Sequence, residues 1–330
     1  MELPAGFGVS LPQDGLWYLP PKQDVLTREE DDVEFTLDDV ADDLTIVITS
    51  SVGEFTPSTD IVITALRSLQ DNLALHWCRK ILVFDEIPSE QEIEAMKQNP
   101  KHYHTVVRGP KWEHMWRKKR EAYTAYCFAL NEMKLNNDPT LFQVELVFLP
   151  RFSHLFGTVR HALELVKSSY VLVTQHDLRL SGKFVAADVQ RVLGLMESES
   201  ANCVILNRDT NSGSRPKSYF RMDPDSDIYD SGSRTRLTAV RGFSDQTHFA
   251  HKDWYLANIM DRIPDDCRLT CMEHILHNQF KNERDFRGIF LYGGSDDGPF
   301  TYDLIHGTQI SSRGGRQYDV EPMPARLVPK

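Results

Sequence analysis

The sequence predicts an α/β fold, with a mostly parallel central sheet and helices on both faces. Strand-like and helix-like stretches alternate along most of the chain. Residues 170–174, Tyr-Val-Leu-Val-Thr, form an unbroken β-branched and aromatic run, the pattern of a strand covered on both faces of a parallel sheet. Two such runs stop on an acid, Asp85 and Asp177, at the carboxyl end where open α/β sheets take their ligands.

The elements follow in order. Residues 1–43 show little apolar periodicity, although Leu16, Trp17, Tyr18 and Leu19 offer apolar surface that can dock. From Asp24 to Asp43 the chain is strongly acidic and reads as solvated, so 1–43 is taken as an extension. The first strand is Leu44–Ser50. Ser58 or Thr59 caps a helix with Ile61, Ala65, Leu66 and Leu69 on one face. Residues 79–85 are the second strand, and the unit starts a parallel sheet by a right-handed crossover.

Ser89 opens a helix over about residues 90–98, and 103–107 read as a short strand. Residues 111–134 read as an amphipathic helix with Met115, Ala122, Cys127 and Leu130 inward and the basic run Arg117 to Arg120 on its wet face. A strand over 144–149 follows, then a helix capped by Thr158 with Val159, Ala162, Leu163 and Val166 on one face. After Asp177 the chain turns at Ser181–Gly182, and a helix presents Val185, Val189, Val192 and Met196. Residues 203–207 are a strand, and 208–236 a long polar connection. Short strands are expected at 237–241, 247–250 and 289–292, and helices at 252–260 and 265–280. The reading therefore divides the chain into the extension 1–43, one domain over 44–308 and a tail over 309–330.

Composition narrows the function. The chain has 330 residues, 41% hydrophobic and 26% charged, with ordinary globular character. A net charge of −11 argues against a broad nucleic-acid surface. No window approaches the length of apolar residues that a membrane span needs. Five irregularly spaced cysteines read as reduced thiols, which suggests a cytoplasmic protein, and the first residues do not resemble a secretory signal.

Several motifs fail on inspection. No Gly-x-Gly-x-x-Gly or phosphate-loop pattern follows the first strand. Asp223, Asp225 and Asp227 begin like a calcium loop, but Ile228 and Arg234 stand where glycine and glutamate are needed. Cys267, Cys271, His274 and His277 have helical spacing, and four ligands on one straight helix cannot enclose a tetrahedral zinc.

Gly157, Arg160, the hydrophobic run 170–174 and the end Gln175-His176-Asp177 together resemble the middle of a family 2-like glycosyltransferase of the GT-A fold. In that family a Gly-x-x-Arg-Asn start precedes a strand that ends in a metal-binding Asp-x-Asp. Here His161 stands at the Asn position and Gln175 at the first Asp. The resemblance spans about residues 44–280 and implies transfer of a sugar from a nucleotide-diphosphate donor, inverting, assisted by Mn²⁺ or Mg²⁺. It implies that Thr49, Ser50, Ser51 and Asp85 meet the nucleoside, with Arg160 and Gln175 also on the donor side. Asp177 becomes the metal ligand and His306 its partner. Glu273, with Asp245 as the next candidate, becomes the carboxylate base. Read without the resemblance, Asp85 is equally a turn acid and Glu273 a surface helix residue that pairs with a cation. The alternative expectation is a catalytically inactive nucleotide-binding protein of the same fold, suggested by Gln175. A nucleotidyltransferase is disfavoured because the loop over 51–57 lacks a Gly-rich basic pattern. The acceptor, whether glycan, lipid or protein, is not legible.

Overall fold

The computed structural model describes residues 36–52, 58–98, 110–208, 221–222, 228–229, 236–263, 272–283, 288–293 and 298–304. The expected strand at 103–107 and His306 lie outside the described residues.

The acidic stretch before the first strand is only partly as expected. Helix α1, Leu37–Asp43, is capped by Thr36 in a capping box with Asp39, and Val40 is fully buried. Asp38 and Asp39 favour this helix because negative charge in the first turn suits its dipole. Leu37 and Val40, three apart among acids, are too short a pattern to see in sequence, yet they pack on the core.

Strand β1, Leu44–Ser50, is buried at every position. Ser58 caps α2, Thr59–Gln70, which buries Val62, Ala65, Leu66 and Leu69. A short helix α3, Leu73–His76, leads into β2, Arg79–Phe84. Lys80 of β2 is fully buried, and its Nζ donates to the carbonyls of Leu75, His76 and Cys78 at 3.0, 2.8 and 2.9 Å. All three ammonium protons are thus satisfied by the end of α3.

Helix α4, Glu90–Lys97, is capped by Ser89, and α5 runs Pro110–Leu135. The inward face of α5 is Trp116, Tyr123, Tyr126 and Leu130, whereas Ala122, expected inward, is exposed. The large aromatics outweigh alanine in setting which face is buried.

Strand β3, Val144–Phe148, precedes α6, His154–Leu165. The sequence expectation that Thr158 begins this helix is corrected: it lies inside, its hydroxyl donating to the His154 carbonyl at 2.7 Å. Gly157 is no helix boundary either. A Cβ there would come within 2.6 Å of the Ser153 Cβ, so glycine permits a close approach at the first turn.

Strand β4, Tyr170–Gln175, follows, then β5, Leu178–Leu180, and α7, Ala186–Glu197. The remaining strands are β6, Cys203–Leu206; β7, Arg221–Met222; β8, Ile228–Tyr229; β9, Arg236–Arg241; β10, His248–His251; β11, Ile289–Tyr292; and β12, Thr301–Asp303. Helix α8, Lys252–Tyr255, continues as a π-helical turn over Leu256–Met260, and α9 is Met272–Asn282.

The main sheet has the order β3-β2-β1-β4-β10-β6-β11-β9-β7, with β8 beside β9. β10 and β9 run against the rest, so eight of its ten strands point the same way. Register is set by hydrophobic pairs such as Ile46↔Leu172 and by Phe249↔Leu172. Side chains alternate across the sheet. Ile46, Ile48, Leu82, Leu172 and Phe249 enter one core with α2, α5 and α7. Val47, Ile81, Val83, Val171 and Val173 enter the other with α6, the π-helical turn and α9. Helices therefore cover both faces, as the continuous apolar strands require.

A small second sheet pairs β12 with β5, placing Asp303 opposite Leu178. No helix among the described residues is long and apolar enough to cross a membrane. Cys78, Cys127 and Cys203 are free thiols.

Candidate active site

From β1 the chain steps outward to β2 and β3, then returns to the opposite side of β1 as β4. That reversal makes the carboxyl ends of β1 and β4 a topological switch point, where such sheets form a crevice. Ser50 ends β1, Asp85 follows β2 and Asp177 follows β4.

On the β1–β2 side the hydroxyls and backbone carbonyls are settled, and the Asp85 carboxyl is only half so. Tyr126 shares a 2.9 Å hydrogen bond with the Ser50 hydroxyl. Tyr123 donates to the Asp85 carbonyl at 2.7 Å and lies 3.3 Å from that of Ser50. The Thr49 hydroxyl reaches the Thr174 carbonyl at 3.4 Å. Thr49, Ser50 and Asp85 are buried, while Ser51 is exposed. Asp85 Oδ1 accepts from the Glu86 and Ser153 amides at 3.0 and 2.8 Å, but its Oδ2 is buried without a donor. Burial pushes this carboxyl up to about 7, against the pull of the backbone amides. Beside it opens a groove of about 620 Å³, lined by Glu86, Ile87, Glu92, Arg120, Pro150 and Arg151. Neither Asp177 nor Asp245 nor Glu273 lines that groove.

On the β4 side carboxylates crowd together. The turn after β4 is fixed by the His176 amide on the Thr49 carbonyl at 2.9 Å. Asp177 keeps its Oδ1 buried with no hydrogen-bond partner, and its carbonyl accepts from Leu304 at 2.9 Å. Gln175 Nε2 donates to the Asp245 carbonyl at 3.2 Å. Glu273 lies in the first turn of α9, where the helix dipole favours negative charge, and its Oε1 accepts from Ser244 at 2.7 Å. The Asp245 carboxyl is pushed upward by burial first and by the Glu273 and Asp177 charges, with Arg208 opposing. Asp177 also adds to the upward push on Tyr126, behind burial, so its charge faces both Asp245 and the tyrosine that holds Ser50.

Gly242 lets the loop carrying Ser244 and Asp245 lie against α9. Its φ is +119°, and a Cβ would come within 2.7 Å of the His277 ring. Below the cluster His248 is fully enclosed. Its Nδ1 pairs with the Gln246 carbonyl at 2.6 Å, so Nε2 accepts from the Tyr255 hydroxyl at 3.0 Å. Burial lowers this imidazole to about 4.

The structure brings Gln175, Asp177, Asp245 and Glu273 together and sets Thr49, Ser50 and Asp85 at the neighbouring strand ends. Arg160 stands apart, 3.7 Å from Asp261 beside the π-helical turn. Sequence reading missed Ser244, Arg208, Asp303, Tyr123 and Tyr126. The tyrosines had a signal, two aromatics three apart on one helix face. Arg208 had one too, since it follows β6 as Asp177 follows β4.

Asp177 Oδ1 is an oxygen acceptor awaiting a positive partner, which suits a hard divalent cation. Among the described residues no three His, Cys, Asp or Glu side chains gather to hold an ion by themselves. One carboxylate is nevertheless compatible with Mg²⁺-type binding, in which one or two carboxylates and substrate phosphates share the metal.

No protein-family model matches this chain, and no curated protein does. Solved structures do resemble it. Staphylococcus aureus TarS is 12% identical with a TM-score of 0.40, covering 82% of this chain and 38% of its own. The mannosyltransferase PcManGT from Pyrobaculum calidifontis, solved with GDP-Man and Mn²⁺, is 9% identical with a TM-score of 0.35, covering 65% and 46%. A cytidylyltransferase from Leptospira borgpetersenii serovar Hardjo-bovis is 12% identical with a TM-score of 0.40, covering 84% and 90%. This chain thus spans well under half of TarS. The fold itself is a mostly parallel sheet, covered on both faces by helices, with its crevice at the β1/β4 reversal.

Proposed function

We propose that this protein is a glycosyltransferase that moves a hexosyl or pentosyl group from a nucleotide-diphosphate donor to an acceptor. The observation that carries the reading is Asp177 Oδ1, a buried carboxylate oxygen without a donor at the tip of an interior strand, beside two further acids. Residues 44–308 are taken as the catalytic unit, with His306 as a second metal-side residue.

The donor's nucleoside lies toward Thr49, Ser50, Ser51, Asp85 and the groove beside it, and its diphosphate toward Asp177. Asp177 would hold a Mn²⁺ or Mg²⁺ shared with the diphosphate, and that ion would supply Lewis-acid neutralisation of the leaving group. Glu273 takes the acceptor hydroxyl proton as its oxygen attacks the anomeric carbon. Ser244 orients the carboxylate by its 2.7 Å bond. Asp245, raised by burial and by Glu273, discourages a second charge beside the base and is the alternative base. A base on the face opposite the leaving group inverts the anomeric configuration.

The second reading, a nucleotide-binding protein without turnover, is favoured by Gln175, whose side-chain amide is already engaged with the Asp245 carbonyl. A panel of UDP-, GDP- and dTDP-sugars with Mn²⁺, assayed for released nucleoside diphosphate, separates the two. Turnover that Glu273→Gln abolishes supports transfer. Nucleotide binding with no release from any donor, in the presence of varied acceptors, supports the inactive reading.

A further inference from the structure

We propose that Arg208 binds the diphosphate of the donor, with Asp303 as the positioning residue that holds its guanidinium there. The proposal rests on the glycosyltransferase reading above.

The placement is built from backbone geometry. Arg208 stands just past β6, at the same end of the sheet as Asp177. The preceding Asn207 carbonyl accepts the Phe300 and Thr301 amides at 2.8 and 3.3 Å, and Arg208 bridges to Thr301. This fastens β12 to the end of β6. The other edge of β12 pairs with β5, and Leu304 donates to the Asp177 carbonyl at 2.9 Å. One three-residue strand therefore joins Arg208 on one side to Asp177 on the other. Asp303, nearly buried, lies 4.0 Å from the Arg208 Nη1, the separation of an ion pair.

Charge balance says what this arginine faces. Asp177, Asp245, Glu273 and Asp303 gather here, and a diphosphate adds further negative charge. Gln175 brings none of either sign. Of the nearby cations, Arg179 lies over the Tyr302 ring at 4.8 Å, and Arg191 is paired with Asp188 at 3.1 Å. Among the described residues, Arg208 is the cation whose field reaches Asp245. A guanidinium offers a planar fork of donors that matches two phosphate oxygens. In the transfer step the bond from the sugar's anomeric carbon to the β-phosphate oxygen breaks, and its electron pair stays on that oxygen. The acceptor oxygen forms the new bond to the carbon and its proton passes to Glu273. Arg208 stays protonated and donates to the oxygen that gains charge.

The test is titration calorimetry with UDP, GDP and dTDP and their monophosphates, in Mn²⁺, on wild type, Arg208→Gln, Arg208→Lys and Asp303→Asn. Arg208→Gln is expected to weaken diphosphate binding by about tenfold to a hundredfold and leave monophosphate binding in place. Arg208→Lys recovers part of the loss, and Asp303→Asn falls between. If Arg208→Gln does not fold, Arg208→Lys carries the test through a reduced diphosphate-to-monophosphate affinity ratio. Equal weakening of both nucleotides, or no weakening, overturns the proposal while leaving the function intact. Wild type that binds none of these nucleotides instead defeats the functional reading, and the proposal with it.

Discussion

Two groups of strand ends lie side by side at the crevice and are built on opposite principles. At β1 and β2, hydroxyls and carbonyls are matched by Tyr123 and Tyr126, and the one carboxyl there, Asp85, takes two backbone amides on Oδ1 while its Oδ2 has no donor. At β4, β6 and the start of β10, carboxylates face one another beside Arg208, and Asp177 too has an oxygen with no donor. The tyrosine bonds of the first arrangement hold the fold, with the single buried Asp85 carboxyl as a local cost. The second costs stability unless a positive or proton-bearing partner arrives, which is what a binding site looks like electrostatically.

Substitutions sharpen that contrast. The largest effect is expected at Glu273→Gln, which should cut transfer by about 10²–10⁴ while nucleotide affinity holds. Parallel loss of affinity would make Glu273 a folding or binding residue instead. Next comes His248, the neutral support under the acidic cluster. Its pKa falls from 6.5 to about 4 in the folded protein, so its contribution is present above 6.5 and lost as pH drops toward 4. Full protonation would remove on the order of 3 kcal/mol. His248→Gln should flatten the acid limb of a melting-temperature profile, and an unchanged limb would place the acid sensitivity elsewhere.

Asp85 has the opposite sign. Its carboxyl is raised from 3.8 to about 7, so its contribution is most favourable below 3.8 and declines as pH rises to 7. Asp85→Asn should therefore melt level with wild type near pH 4 and above it at pH 8. A uniform loss at every pH would show that the two backbone bonds to Oδ1 matter more than the buried charge. The smallest effect belongs to the settled side. Tyr126→Phe should cost about 1 kcal/mol in urea unfolding, the net worth of one hydrogen bond, without changing any metal dependence.

The fold was largely legible because its strands are continuous apolar runs. Leu44–Ser50 has the same bounds in sequence and structure, and the run at 170–174 extends by one residue. Elements that depend on one contact were not legible. Val40 is the one fully buried residue of a short, acid-rich helix, and β5 and β12 are three residues each, held by pairing across more than a hundred positions. Helix α6 was misplaced at its start because glycine reads as a boundary when it is serving a close contact.

Of the site, position was readable and environment was not. Strand-end logic put Asp85 and Asp177 at the carboxyl ends of their strands, where the structure has them, and Glu273 was nominated by the family resemblance alone. Nothing local to Asp245 says that Glu273 and Arg208 surround it, because α9 and the end of β6 meet it only in the folded chain. The same holds for Asp303, which reaches Arg208 through β12.

The central claim is that Asp177 joins a divalent cation to a nucleotide diphosphate. Thermal shift with UDP-, GDP- and dTDP-sugars, with and without Mn²⁺, tests it on wild type and Asp177→Ala. One donor at a hundred times its dissociation constant should stabilise wild type by about 2.7 kcal/mol, and Asp177→Ala should lose the Mn²⁺-dependent part. A Mn²⁺-dependent shift of equal size in both proteins, or none in wild type with any donor, would contradict it.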